Sequence, residues 1–542
     1  VNERFVSLAR VQRALRFRLR PAPEASLESS RTKQHVEWRL PPRHSIATVP
    51  LACLLVLSAS WRAAATTCSD ICPGSGSCTI NSLKNIDPGS DLDCGNRDLT
   101  VTGDGSLKVT GGSFILRARD LNVVGPGGTI YAVEGTDQHC GGIEVDLTGS
   151  LTLAGKMRAN GNHGGGSLTI TAAGDISIPE SGTDGVECDG LNVGASGGSI
   201  DIQAGGAITM NDPVHAEGNN SGDNAGGRIE IRATGNITAA LDGHISATGK
   251  TAGGGSVLIV SEAGNITLDE HIDVDGKGTI GDGGDIELSA EGSIQVLQQI
   301  YARGGVNTGG GTANGGTVEI GAGCGGVSVE APIFTTGGQL GSSHGGGSLT
   351  VTATGPVSIA AGVLLDTHAL ADGGNGGDIT LRSKDVITLN NGTTLDSRGS
   401  SLSQGTGGSV MVAGCRADLK SGATIDAGAV QAAAIFIGAS GQPPATGTQP
   451  LSVGATAVLR AAGTTSGGNG RIELAPLTYK QGQCSNDGTL SCMLDADCTV
   501  GCQTGDCLYA NPDTGGQDIQ FNITPSRFGD SALPACGTAC GQ

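Results

Sequence analysis

Residues 197–218 read Gly197-Gly198-Ser199-Ile200-Asp201-Ile202-Gln203-Ala204-Gly205-Gly206-Ala207-Ile208-Thr209-Met210-Asn211-Asp212-Pro213-Val214-His215-Ala216-Glu217-Gly218. Three short runs here alternate apolar with polar side chains: Ile200-Asp201-Ile202, Ile208-Thr209-Met210 and Val214-His215-Ala216. A period of two marks strands with one face in and one face out. Gly-rich corners separate the runs, and each run is too short to pair within the segment. Their backbone groups must therefore find partners in a neighbouring segment of the same kind.

Such neighbours exist. The Gly-Gly start occurs at Gly165 and again with its first Gly at 197, 226, 254, 283, 315, 346, 376 and 407, in steps of 28 to 32 residues. Weaker copies start at Gly111 and Gly141, and degenerate ones near Ala434 and Gly470. A period near 30 over more than 300 residues calls for stacking. The expected fold is all-β: a right-handed parallel β-helix of about 12 coils, with three short strands per coil.

Composition points the same way. The 542 residues include 94 Gly, while charged residues are 15% and aromatics 2%, so large side chains for an ordinary globular core are scarce. Gly shows no period of three and Pro numbers only 19, which excludes collagen. Strict alternation excludes simple disorder. The formal charge of −20 hides a split: residues 1–65 carry +7, leaving −27 on 66–542. An acidic body of that kind repels nucleic acid and anionic membranes, so nucleic acid is not an expected partner.

Residues 1–65 have the three parts of a secretory leader: a basic stretch including Arg13, Arg16, Arg18 and Arg20, an apolar run over 46–59, and Ala63-Ala64-Ala65. The apolar run is short for a membrane span. Cleavage near Ala65 would send the chain to the cell surface or the outside, with no transmembrane segment in the mature chain. Cysteine usage agrees: Cys68, Cys72, Cys78 and Cys94 cluster early, and Cys484, Cys492, Cys498, Cys502, Cys507, Cys536 and Cys540 crowd the end. Clustered cysteines in an exported chain read as disulfides, with a connectivity that spacing does not give. The expected organisation is a leader (1–65), an N-terminal cysteine-containing cap (66–98), the repeat domain (99–480) and a cysteine-rich tail (481–542).

The unit Gly-Gly-x-Φ-x-Φ-x-Ala-x-Gly-x-Φ-x-Φ (Φ apolar), with a later Φ-x-Ala-x-Gly, resembles filamentous-haemagglutinin-type bacterial adhesins and the wider pectin-lyase-like β-helix group. The likeness covers roughly Leu99–Leu474. It implies the coiled architecture and a surface role, and it implies activity only weakly, because the group spans adhesins, lyases, hydrolases and tailspikes. The Asn-Pro-Asn-Gly motif of two-partner secretion is missing, as are the Asn-Thr-Asp and Gly-His-Gly signatures of polygalacturonases and the Arg-x-Pro-x-x-Arg run of pectate lyases.

Aligning the third run across coils gives an outward file of His215, Ser246, Asp273, Tyr301, Phe334, Asp366, Asp396 and Asp426. The last three should stack one strand spacing apart, and bare carboxylates at that distance repel unless a cation or a raised pKa relieves them. Hard oxygen ligands in a row suit Ca²⁺, so Asp366, Asp396 and Asp426 are calcium candidates. His368 and Arg398 lie two positions further along and resemble the carboxylate-plus-Arg arrangement of calcium-dependent pectate lyases; they are the catalytic candidates if the chain is an enzyme. Otherwise the file is a polar ladder of strand-end aspartates with solvated side chains. His244 and His271 occupy equivalent positions on neighbouring coils and should meet. No Trp falls within 66–542, which weighs against a sugar-processing groove.

Three functions follow. The first is a non-enzymatic exported scaffold or adhesin binding a polysaccharide or a cell-surface glycan or protein. The second is a calcium-assisted polysaccharide lyase or other glycan-active enzyme. The third is a spacer presenting the cysteine-rich tail, from which it is separated by deleting 484–542 and measuring partner binding.

Overall fold

A computed structural model describes residues 65–476 apart from loop segments 136–139, 183–184, 220–223, 251, 279–280, 307–312, 339–343, 401–403, 440–450 and 464–469. Beyond 476 it describes only five strands of two or three residues, at Gly482–Cys484, Ser491–Cys492, Thr499–Val500, Gln503–Thr504 and Cys507–Leu508. The leader and the tail cysteine side chains lie outside the described residues.

The three runs of each coil form three parallel sheets of 14 strands each, in which every strand pairs with its counterparts one coil before and one coil after. In the quoted coil they are Ser199–Ala204 (sheet 1), Ile208–Met210 (sheet 2) and Val214–His215 (sheet 3). The register is one residue to one residue, so each apolar position continues as a buried column. Ile200 sits on Ile229 and Leu168, Ile208 on Ile237 and Ile176, and Val214 on Ile245 and Val186. All nine are 0–1% exposed. The repeat thus becomes a parallel β-helix whose core is these columns.

Among the described residues the stack has fourteen coils, close to the expected number. The first, with strands Cys78–Ile80, Leu83–Ile86 and Asp91–Asp93, falls inside the segment expected to be only a cap. Its alternation is short and lacks the Gly-Gly start, so it escapes the repeat template. The cap is smaller: a single-turn helix, Cys68–Ile71, lies at this end with Cys68, Ile71 and Cys72 buried. Disulfides Cys68–Cys94 and Cys72–Cys78 fasten it, and the Arg97 guanidinium donates to the carbonyls of Gly76 and Cys72 at 2.6 and 2.9 Å. Cys140 and Cys188 are free thiols.

Corners explain the glycines. A Cβ on Gly197 would stand 2.1 Å from the carbonyl oxygen of Ala216, and one on Gly198 would stand 2.2 Å from that of Gly166. Backbone meets backbone there, and no side chain fits. Gly362, Gly392 and Gly422, spaced by one coil, serve differently. Each has φ between 72° and 76°, a conformation costly for residues with a Cβ, and each turns the chain from sheet 2 into sheet 3.

Candidate functional site

The three faces of the coil stack differ in chemistry. Sheet 2 shows a file of hydroxyl and amide side chains, including Thr209, Thr238, Thr267, Gln295, Ser328, Ser358 and Thr388. Sheet 3 carries rings, imidazoles and carboxylates. Its file is the one the sequence predicts, His215, Ser246, Asp273, Tyr301, Phe334, Asp366, Asp396 and Asp426, in unbroken register.

The three stacked aspartates are not solvated: Asp366, Asp396 and Asp426 are only 5–6% exposed. The turns at Gly362, Gly392 and Gly422 deliver three near-identical segments, Leu364–Asp366, Thr394–Asp396 and Thr424–Asp426. In each, the carboxylate bends back to accept the backbone N–H two residues on, from His368, Arg398 and Gly428 at 2.9–3.1 Å. Such strand-end turns explain why Asp occupies all three places. They also draw the side chains under the residues that follow.

Charge is balanced within the chain. His368 Nδ1 bonds Asp366 at 2.5 Å and lies 3.8 Å from Asp396. Arg398 closes both prongs of its guanidinium on Asp396, at 2.8 and 2.5 Å, and Arg460 reaches Asp426 at 3.2 Å. Burial alone would lower the His368 pKa, but the Asp366 hydrogen bond and the nearby carboxylates outweigh it and raise the value, which favours the protonated ring. Two bare carboxylates one strand apart (~4.8 Å) would repel by about 3 kcal/mol at an effective dielectric near 20. Arg398 and Arg460 offset that repulsion, and His368 adds a hydrogen bond to Asp366. Ligand atoms of Asp366, His368 and Asp396 lie within 4.8 Å of one another. Calcium takes about six to eight oxygens, whereas this set offers two carboxylates and an imidazole nitrogen, so it fits the ion poorly.

Next to the aspartates, the face changes height. Tyr301 and Phe334 stack at 5.6 Å with an interplanar angle of 5°, and the Arg303 guanidinium lies 4.4 Å from the Tyr301 centroid. Arg303 is itself held by Asp275 through Nε and Nη2 at 3.0 and 2.6 Å. Beyond Phe334 the file drops from a ring to the short Asp366, and at this step lies a cleft of ≈ 410 Å³. Phe334 and Thr336 line it between Arg303 and Lys277 on one side and Asp366 and His368 on the other; Val306 and Leu370 also line it, 44% and 40% exposed. His244 and His271 do meet, stacked at 5.0 Å, and His271 packs edge-on to Tyr301 at 6.5 Å.

A second polar cluster lies nearer the N-terminus. His215 Nδ1 is 2.9 Å from Asp189, with Glu187 and Glu217 close by. Burial disfavours the imidazolium, yet the Asp189 hydrogen bond and the surrounding carboxylates raise its pKa to about 9. Lys250 pairs with Glu217 at 3.3 Å, and the nearby His244 has its pKa lowered by burial and by His271 and His215. A folded pKa near 9 against about 6.5 unfolded corresponds to about 3 kcal/mol. The raised value means this stabilisation is full below pH 6.5 and disappears as pH climbs through 9. Wild-type stability should therefore fall between pH 7 and 10, and His215→Gln should flatten that slope. Urea melts across the range check it, and equal slopes would remove His215 from the network.

The chain matches no family model, no curated protein and no solved structure. Its reading rests on its own residues. Asp366, Asp396, Asp426, His368 and Arg398 are indeed brought together. The cleft beside them, with Arg303, Thr336, Val306 and Leu370, is missed by the sequence reading. A signal for it exists: the second outward position reads Asp189, Glu217, Thr248, Asp275, Arg303, Thr336, His368 and Arg398, as rich a file as the first.

Proposed function

We propose that this chain is an exported bacterial β-helix that works without catalysis, as a surface or extracellular scaffold or adhesin. The observation that carries the reading is the internal pairing of the polar groups on sheet 3. Arg398 is closed on Asp396, and His368 is hydrogen-bonded to Asp366. A lyase needs a base free to take a proton and a cation free to hold an acidic sugar. Here both candidates are engaged. Fourteen stacked coils instead offer a long, regular face suited to extended contact.

Export is supported by the leader's three parts and by two disulfides in the cap, which suit an oxidising compartment. Among the described residues no helix is long and apolar enough to cross a membrane. The likeness to haemagglutinin-type and pectin-lyase-like coils is, on this reading, one of architecture and not of active site.

The test uses purified 66–542 with disulfides intact. Acidic and neutral polysaccharides are incubated with it, with calcium and with chelator, and new chain ends are counted. Beads coated with the protein are scored in parallel for adhesion to cells and matrix. Adhesion without new chain ends is the expected result. Calcium-dependent release from a polyuronate, lost in Asp396→Ala, would overturn it.

A further inference from the structure

We propose that the cleft at Phe334 binds one uncharged pyranose unit of a glycan chain. This rests on the adhesin reading and names its ligand. Three features of the cleft carry it.

The first is the step itself. Tyr301 stacks on Phe334, Phe334 lines the cleft, and at the equivalent place the next coil offers only the short Asp366. A ring seated there lays an apolar face on Phe334 and turns its edge toward the strand below. Pyranoses present such a face, made of axial C–H groups, with hydroxyls around the rim.

The second is the mixture of partners at the rim. The lining combines a carboxylate (Asp366), a guanidinium (Arg303) and a hydroxyl (Thr336), and Asp366 Oδ2 and Arg303 Nη1 lie outside the His368 and Asp275 pairs, so they are the atoms left for a ligand. Val306 and Leu370 give apolar lips that a charged ligand would not need.

The third is charge, and it decides between sugar classes. Every cation of the cleft has a carboxylate of this chain: Lys277 pairs with Asp273 at 2.8 Å, Arg303 with Asp275 at 2.6 Å and His368 with Asp366 at 2.5 Å. No surplus positive charge remains for a uronate or sulfate, and the chain's net charge of −20 opposes one further. A neutral ring displaces none of these pairs. At ≈ 410 Å³ the cleft lies at the small end of ligand sites, about 300–1,000 Å³, which suits a single sugar of a longer chain.

Cellohexaose, mannohexaose, xylohexaose and galactohexaose serve as neutral probes and hexagalacturonate as the charged one, titrated into the full mature chain by calorimetry. At least one neutral hexamer should bind more tightly than hexagalacturonate. Phe334→Ala should weaken it about tenfold, as expected for an aromatic contact. Phe334→Trp should retain binding, and Tyr131→Ala, far from the cleft, should leave it unchanged. Matching circular dichroism and melting curves confirm that the variants fold. The proposal is overturned if none of the four binds, if Phe334→Ala binds normally, or if hexagalacturonate is preferred. Adhesion that persists while every hexamer fails removes this site assignment and leaves the adhesin reading. A chain that adheres to nothing removes both. Adhesion lost on protease treatment of the target surface but not on periodate oxidation points to a protein ligand and also overturns it.

Discussion

Replacing Asp396 with Ala is expected to destabilise the coils around it by about 3 kcal/mol, and calcium is expected to have no part in the effect. Asp396 is 6% exposed and accepts three hydrogen bonds from Arg398 alone, one from its backbone and two from its guanidinium. Breaking a buried ion pair costs about 3–5 kcal/mol, because the surviving charge loses its partner. The low end applies here, since the Arg398 side chain is half exposed and water screens part of the loss. Asp396→Asn keeps an acceptor for the Arg398 N–H and should cost less. In a stacked array the damage stays near its source. Amide exchange should rise over 364–368, 394–398 and 424–428 and change little in the first six coils. Melting in calcium and in chelator gives the second readout. If the aspartate file held calcium, the ion would stabilise the wild type by mass action and Asp396→Ala would lose that increment. Equal wild-type melts in both buffers are expected. A calcium-dependent rise abolished in Asp396→Ala would restore the calcium site and, with it, the lyase.

The fold was legible because a solenoid writes each structural layer into sequence at one period. Ile200, Ile229, Val257 and Ile286 are spaced like the coils, and they form one column because the register never slips there. The same regularity made the outward file of sheet 3 readable residue by residue. What periodicity does not carry is how far a side chain stands out from the face. Asp366 and Phe334 occupy equivalent positions, yet one folds back onto its own backbone while the other stacks on Tyr301. Solvated aspartates were therefore the wrong expectation, although strand-end turns were already the reason to expect Asp there. The cations were the other hidden part. Arg460 reaches Asp426 across 34 residues, and Arg303 reaches Asp275 across 28. Each is about one coil in sequence and direct contact in space. Arg460 continues the first outward file directly after Asp426, whereas Asp275 and Arg303 both belong to the second outward position.

The largest effect is expected at the other end of the molecule, on removing residues 477–542. The last strands of the three sheets are Leu451–Val453, Val458–Arg460 and Ile472–Pro476. Among the described residues each has a coil on one side only. The columns that are sealed everywhere else open here: Leu419 is 1% exposed but Val453 above it is 42%, and Ile435 is 0% but Ile472 above it is 40%. The first coil shows what a closed end looks like. Ile80, Ile86 and Leu92 are 0–4% exposed, with the disulfide-fastened turn of helix at Cys68–Ile71 at that end. An end with unpaired strand edges and exposed Val and Ile templates another chain. The cysteine-rich segment follows Pro476 directly in sequence, which makes it the candidate cover. Chain 66–476 should therefore associate through its last coil, giving dimers or short rods by light scattering where 66–542 is a single species. Arg or Lys at positions 453 and 472 should return it to monomer, since a charge inside a would-be column blocks stacking. A truncated chain that stays monomeric at high concentration would show that the last coil protects itself. The tail would then be free to act as a binding module, which is the outcome that favours the spacer reading over the adhesin.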